Sequence, residues 1–302
     1  MADRTARRDI RYAAEGAAAI VRRARDEQDA GSLAYVAVYA CGFAGRATDL
    51  DRYRDVARYR PDAAFVNRLR REVPGVVDMT GWTVTGRDGG RTLLEKDGIR
   101  AFVDARELSF PADVGDDVTF SQPLLRAGVM PGFVVRRGTS SPADRSNLSR
   151  LYLNTRPAAA AWVLGPLAER LEAARLPFEM KVMAHPRAYV RRDSSVLYVP
   201  SERDAEAAQI VGRAIVEAGR DLVRSPVPRL TERVAPGVGL AHEPTDITET
   251  GLSHGQWVAG LFRDAVRDAT APGAIAGRVR ALIADAGRDP DRPHLRGEDQ
   301  AS

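Results

Sequence analysis

The stretch whose pattern decides the fold is 178–199, FEMKVMAHPRAYVRRDSSVLYV. Residues 178–184 alternate as a half-buried strand does, with Phe178, Met180 and Val182 on one face and Glu179, Lys181 and Met183 on the other. Residues 196–199 form a second strand, and the loop before it carries Arg191, Arg192 and Asp193. Two such strands pairing around the loop place an antiparallel sheet in the middle of the chain. That pairing would also bring a lysine beside guanidinium groups on one sheet face.

Upstream, apolar residues at helical spacing over 5–28, 33–43 and 63–73 make the first 75 residues helical. The character changes at Pro74-Gly75. Residues 81–85, 91–95 and 99–103, separated by Arg87-Asp88-Gly89-Gly90 and Lys96-Asp97-Gly98, read as a β-meander. Further strands are expected at 117–120, 132–136 and 150–155. A helix follows over 158–175, interrupted at Gly165-Pro166. Downstream, 204–218, 253–269 and 273–286 are helical, while 234–250 is rich in turn formers and has no period. The prediction is an α+β protein, a central antiparallel sheet with helices at both ends. Its segments are a helical region over 1–75, an α+β core over 76–286 and a disordered tail over 287–302, with no clear interdomain linker.

Composition narrows the chemistry. The 302 residues hold 45 Lys+Arg against 41 Asp+Glu, and only Lys96 and Lys181 of those cations are lysines. A lysine kept where arginine serves every generic need points to the chemistry of an amine, which can lose its proton when buried. The single cysteine excludes an internal disulfide framework, and four scattered histidines without metal-ligand spacing give no metal site. No phosphate loop, dinucleotide fingerprint or nucleophile elbow occurs. No basic block with interleaved aromatics marks nucleic-acid binding. The longest apolar run, 33–45, is too short to span a bilayer, and the N-terminus lacks a signal-peptide pattern, so a cytoplasmic protein without membrane association is expected.

Three groups of residues carry candidate chemistry. The first is Lys181 with Arg191 and Asp193: neighbouring positive charge disfavours an ammonium and makes a lysine a base, while guanidiniums grip a phosphate. The plain alternative is a solvated edge-strand lysine. The second is the strand 150–154, RLYLN, whose alternation puts Arg150, Tyr152 and Asn154 on one polar face, as many half-exposed strands do. The third is Ser253-His254-Gly255 at a helix start, an anion site or simply a capped end. His185, four residues beyond Lys181, is a candidate acid or an exposed turn residue; Cys41 belongs to an apolar helix and reads as core.

The order PGF (131–133), RLYLN (150–154), PFEMKV (177–182), YVRRDSSVLYV (189–199), PGVGLAHEP (236–244) and SHG (253–255) resembles the HopA-type family, named for a type III secretion effector. The resemblance covers about residues 80–270. Bacterial relatives occur in clusters for ribosomally made, modified peptides. In class V lanthipeptide and thioamitide clusters they resemble the lyase partner of a phosphotransferase-like kinase. The resemblance implies a carbon–oxygen lyase with a fold like that of the phosphothreonine lyases, acting without metal or cofactor. The kinase phosphorylates Ser or Thr of a precursor peptide, and the lyase eliminates phosphate to leave dehydroalanine or dehydrobutyrine.

Lys181 then matches the family lysine, Arg191 and Asp193 its R-x-D, and Arg150, Tyr152 and Asn154 its R-x-Y-x-N strand. Ser253 and Gly255 match S-x-G. His254 stands where the family usually has an aromatic, and Val258 where it has an arginine. The roles then expected are Lys181 as base, Arg150, Arg191 and Asn154 on the phosphate and Asp193 orienting an arginine; Tyr152 is a candidate acid, as is His185, which has no counterpart in the family, and Lys96 is added to the phosphate contacts from this sequence alone. Two other classes stay open: a non-catalytic subunit that binds the peptide or activates the kinase, and an effector-like interaction protein.

Overall fold

The protein is described by a computed structural model for residues 2–43, 50–104, 107–108, 110–142, 144, 146–244 and 253–296. Two compact units emerge, one made of residues 1–69 and 127–302, the other of 70–126. This division differs from the expected boundary at 75/76. The first helices do not form a region of their own, because their apolar stripes are buried with the sheet and helices of the later chain.

The smaller unit is the expected meander with one more strand. β1 (Val76–Asp88), β2 (Arg91–Lys96), β3 (Ile99–Asp104) and β4 (Asp117–Pro123) make an antiparallel sheet of order β3-β2-β1-β4. Trp82, Val84, Leu94, Val103 and Phe120 form its core. Both hairpin turns need positive φ at two residues, supplied by Gly89-Gly90 and by Asp97-Gly98.

The larger unit starts with α1 (Ala2–Val21) and α2 (Glu27–Leu33), then a π-helix (Ala34–Ala40), α3 (Asp51–Arg58) and α4 (Ala63–Glu72). Its sheet uses β5 (Arg126–Ala127), β6 (Phe133–Arg137), β7 (Leu148–Leu153), β8 (Glu179–Met183), β9 (Ser195–Pro200), β10 (Glu232–Ala235) and β11 (Val238–His242). The strand order is β10-β11-β7-β9-β8-β6-β5, antiparallel from β10 to β6. The pairing of β8 with β9 that the sequence predicts is present, with Lys181 opposite Val196.

The register sorts the side chains. Ala241, Arg150, Tyr198 and Glu179 lie in one row across the sheet, and Gly239, Tyr152, Val196 and Lys181 in the next row of the same face. That face is packed by α1, the π-helix, α8 (His254–Asp268) and α9 (Pro272–Asp285), through Ile10, Tyr39, Phe262 and Val279 among others. The opposite face meets α7 (Asp204–Ala218), whose Asp204 accepts a hydrogen bond from Ser149, and the helical run through α5 (Ala160–Trp162) and α6 (Ala168–Ala173). Gly165-Pro166 does not interrupt that run. The turn Val163–Leu167 is π-helical instead, and its wider ring accommodates a residue without an N–H.

Two expectations are corrected by burial. The segment 234–250 holds the end of β10 and all of β11, and its residues 245–250 lie outside the described residues; Val238–His242 is buried throughout, so no alternation marks it as a strand. Residues 287–296 are not a disordered tail. The N–H of His242 donates to the carbonyl of His294 at 2.8 Å, and Arg296 reaches the carbonyl of Glu243 and the amide oxygen of Asn147. A guanidinium with five donors satisfies the carbonyls at this end of the sheet and ties the segment down. Residues 297–302 of the expected tail lie outside the described residues. Among the described residues no helix is long and apolar enough to cross a membrane.

Candidate active site

The larger unit holds a basin of about 1180 Å³ bordered by α2, the π-helix, the sheet face with Arg150 and Lys181, α8 and α9. Lys181 is 9% exposed. Its Nζ stands 4.3 Å from the ring centre of Phe133 and 5.3 Å from that of Tyr198, with the Met130 sulfur at 3.1 Å. Among the described residues no carboxylate comes within ion-pair distance of this amine. Glu179, on the same face, pairs with Arg137 at 3.0 Å. The cation therefore sits in a cage of two rings and a thioether and faces the basin.

Two guanidiniums border the same space, and each is already paired. Arg150 stacks over the other cation-bearing ring, Tyr198, at 4.6 Å and forms a buried ion pair with Glu243. Burial works against its charge, but Tyr198 and Glu243 outweigh it and hold the guanidinium charged. Arg191 grips Asp193 with both ends of its fork, Nε to Oδ1 at 2.8 Å and Nη2 to Oδ2 at 2.5 Å. Burial pushes the Asp193 carboxyl up, yet the Arg191 charge and hydrogen bonds prevail and hold it below the usual carboxylate range.

Tyr35 completes this pair. Its hydroxyl donates to Asp193 Oδ2 at 3.0 Å and accepts from Arg191 Nη2 at 3.0 Å, and the Arg191 guanidinium lies over its ring. Burial, reinforced by the Asp193 charge, raises the phenol well above its ordinary value, so it keeps its proton at neutral pH. Tyr35 borders the basin. It did not stand out in the sequence because it lies in an apolar run; the available signal was the pair Tyr35 and Tyr39, one helical turn apart, whose rings stack at 5.7 Å.

Several expected site residues lie elsewhere. Tyr152 shares the face of Lys181 but is 1% exposed beneath the π-helix, with the Tyr39 ring 6.1 Å away, and does not reach the basin. Asn154 is buried past the end of β7, where its amide donates to the Pro226 carbonyl at 2.8 Å. His185 caps a short 3₁₀ turn, accepting the Arg187 N–H on Nδ1, and stacks on Tyr59 at 4.4 Å. The strand ends before His185, and its ring leaves the direction of Lys181. Lys96 belongs to the smaller unit, where its amine donates to the Thr80 carbonyl.

The Ser253-His254-Gly255 start of α8 is not an open anion site. Ser253 and Gln256 form a reciprocal capping box. Nearby Glu243 is buried and ion-paired with Arg150; burial raises its carboxyl, against the lowering pull of the Arg150 charge and the His254 backbone. The His254 imidazole is fully buried, held well below its ordinary value by burial, and bonded to the Leu230 carbonyl at 3.2 Å. Gly255 is a packing residue: a Cβ there would lie 2.6 Å from Tyr39 and 2.7 Å from Tyr35. The motif thus fixes the tyrosines of the π-helix, and Ser253 alone of the three borders the basin.

Residues 124–295 match the HopA1 effector protein family. Solved structures share the fold. The effector protein from Pseudomonas syringae pv. tomato strain DC3000 is 16% identical, with a TM-score of 0.56 over 98% of this chain and 98% of that one. The effector protein from Pseudomonas syringae pv. syringae strain 61 is also 16% identical, with a TM-score of 0.55 over 97% and 98%. No curated protein matches the sequence.

Proposed function

The chain belongs to the HopA1 effector protein family, and on that premise we propose that it is a phosphoserine/phosphothreonine lyase acting on a precursor peptide phosphorylated by a separate kinase. The observation that carries the reading is Lys181, a nine-tenths buried amine with no carboxylate partner among the described residues, in a basin that Arg150 and Arg191 also border. Lys181, as the base, takes the Cα proton. The electron pair of that C–H bond becomes the Cα=Cβ double bond, and the Cβ–O bond breaks with its electrons on the departing phosphate. Arg191 and Arg150 stabilise the charge that grows on the phosphate. Tyr35, hydrogen-bonded to both Asp193 and Arg191, positions the Arg191 guanidinium, and the phosphate departs without a proton from Tyr152 or His185. The scheme needs no metal or cofactor, and the partners it implies are the peptide and the kinase, in the cytoplasm.

A second reading, a subunit that holds the phosphopeptide without consuming it, is favoured by one feature. Glu243 and Asp193 already neutralise both guanidiniums, so a phosphate must share or exchange their partners.

The two are separated by incubating the protein with a phosphothreonine peptide and following the loss of phosphoric acid by mass spectrometry. The lyase converts the peptide, and Lys181→Ala slows conversion about 10²–10⁴-fold, the usual worth of a general base. Binding without conversion selects the second reading. Conversion by Lys181→Ala at the unmodified rate removes Lys181 from the base position.

A further inference from the structure

We infer that the basin binds its substrate as an extended peptide, with about five uncharged residues beside the phosphorylated one lying between α2 and α8 over the bare backbone of Gly31 and Gly260. The inference rests on the lyase reading only for the identity of the residue that meets Lys181.

Size comes first. At about 1180 Å³ the basin exceeds the roughly 300–1,000 Å³ typical of pockets for drug-sized ligands, so one phosphorylated residue leaves most of it unfilled. Its wall along α8 runs from Ser253 to Asp264; Ser253, Gln256, Gly260 and Asp264, spaced three or four residues apart, share one helix face, with Trp257, Ala259, Leu261 and Arg263 beside them. Eleven residues of helix rise about 16 Å, the length of about five extended residues.

The glycines divide by what surrounds them. Gly255 is required by packing, as above. A Cβ on Gly31 or on Gly260 meets no atom within 4 Å, although both lie inside helices, where glycine costs about 0.5–1 kcal/mol relative to alanine. Packing does not ask for glycine at either place. Both border the basin, and their bare backbone lets a ligand chain approach closely.

The charges of this channel are balanced within the protein. Glu27 pairs with Arg267 at 2.8 Å and Arg263 with Asp264 at 2.8 Å. What is left to meet a ligand is uncharged: the exposed side chains of Gln28 and Ser32 suit a peptide backbone, and Trp257, Leu261 and Leu282 suit apolar side chains. At the inner end stands Lys181, buried, bordering the same basin and paired with no carboxylate among the described residues. Charge recognition at one end and neutral, close-fitting walls along the rest describe a phosphopeptide with an uncharged flank.

The test uses the full chain, a fluorescein-labelled phosphothreonine peptide with five uncharged residues on either side, and a single phosphothreonine blocked at both ends. Gly260→Leu fills the channel from α8 and Gly31→Leu from α2, and circular dichroism checks that each variant keeps its fold. Each substitution is expected to lower the preference for the peptide over the blocked residue at least tenfold, and to weaken peptide binding in fluorescence anisotropy by a similar factor. Replacing the neutral flanks with lysines is expected to weaken binding as well. If the wild type binds the peptide without eliminating phosphate and both leucine variants lose that binding, the channel stands and the lyase reading falls. Peptide preference and affinity unchanged in two folded leucine variants would overturn the channel, as would a wild type that handles peptide and blocked residue equally.

Discussion

The Arg191–Asp193 pair and Tyr35 form a set in which the Tyr35 hydroxyl, both Asp193 carboxylate oxygens, and Nε and Nη2 of Arg191 are hydrogen-bonded to one another. Taking two charges out of water is costly, and a bidentate geometry with an added phenol is the arrangement that offsets the cost. The set depends on Gly255, because the ring of Tyr35 passes where any larger residue would place its Cβ. Gly255→Ala is therefore expected to destabilise the protein by about 1–3 kcal/mol, as overpacking does, and to displace Tyr35. A lower urea midpoint together with an altered near-ultraviolet tyrosine signal checks both effects; an unchanged midpoint would mean that the π-helix yields without cost. This residue shows how a motif is misread from sequence: S-H-G at a helix start suits an anion, yet its glycine exists for two tyrosines that lie more than 200 positions earlier.

Among the elements, β8 and β9 bring Lys181 to the sheet face and the π-helix brings Tyr35 over it. Both strands were legible: 178–184 alternates, 196–199 is a short apolar run, and the loop between them is rich in charge. The π-helix was legible only as a helical apolar run; its wider turn, with the Cys41 N–H bonded to the Val36 carbonyl, is set by what packs on it. β11 was hidden because a strand covered on both faces loses its period. The start of α8 depends on its cap. Ser253→Ala removes the side-chain half of the capping box and is expected to cost about 1 kcal/mol. A thermal unfolding shift of a few degrees measures it, and amide exchange at Gln256 should accelerate if the cap acts locally.

For the molecule as a whole, the larger unit buries histidines in the neutral form. Burial, and then the charge on His242 and neighbouring arginines, lowers His294 from 6.5 to about 4, and His254 is lowered well below its ordinary value, chiefly by burial. Between about pH 6.5 and pH 4 the unfolded chain binds protons that the folded protein does not, so stability falls as pH drops through that window. Scanning calorimetry is expected to show a lower Tm at about pH 4.5 than at about pH 7, with a smaller drop in His294→Gln. An equal drop in that variant would assign the acid sensitivity to other groups. Because His294 accepts from His242 across the end of the sheet, segment 287–296 should loosen first. By itself the sequence determined the secondary elements with a clear period, the antiparallel sheet at the centre, the family resemblance, and Lys181 as the lysine to examine. These follow from short-range spacing and from residue type. Only the tertiary structure decided which side chains share the basin. It put Arg150 on Glu243, set Tyr35 where Tyr152 was expected, withdrew Asn154 and His185, and drew 287–296 onto the sheet. Burial and pairing between residues far apart in the chain select those partners, and spacing along the sequence carries no record of them.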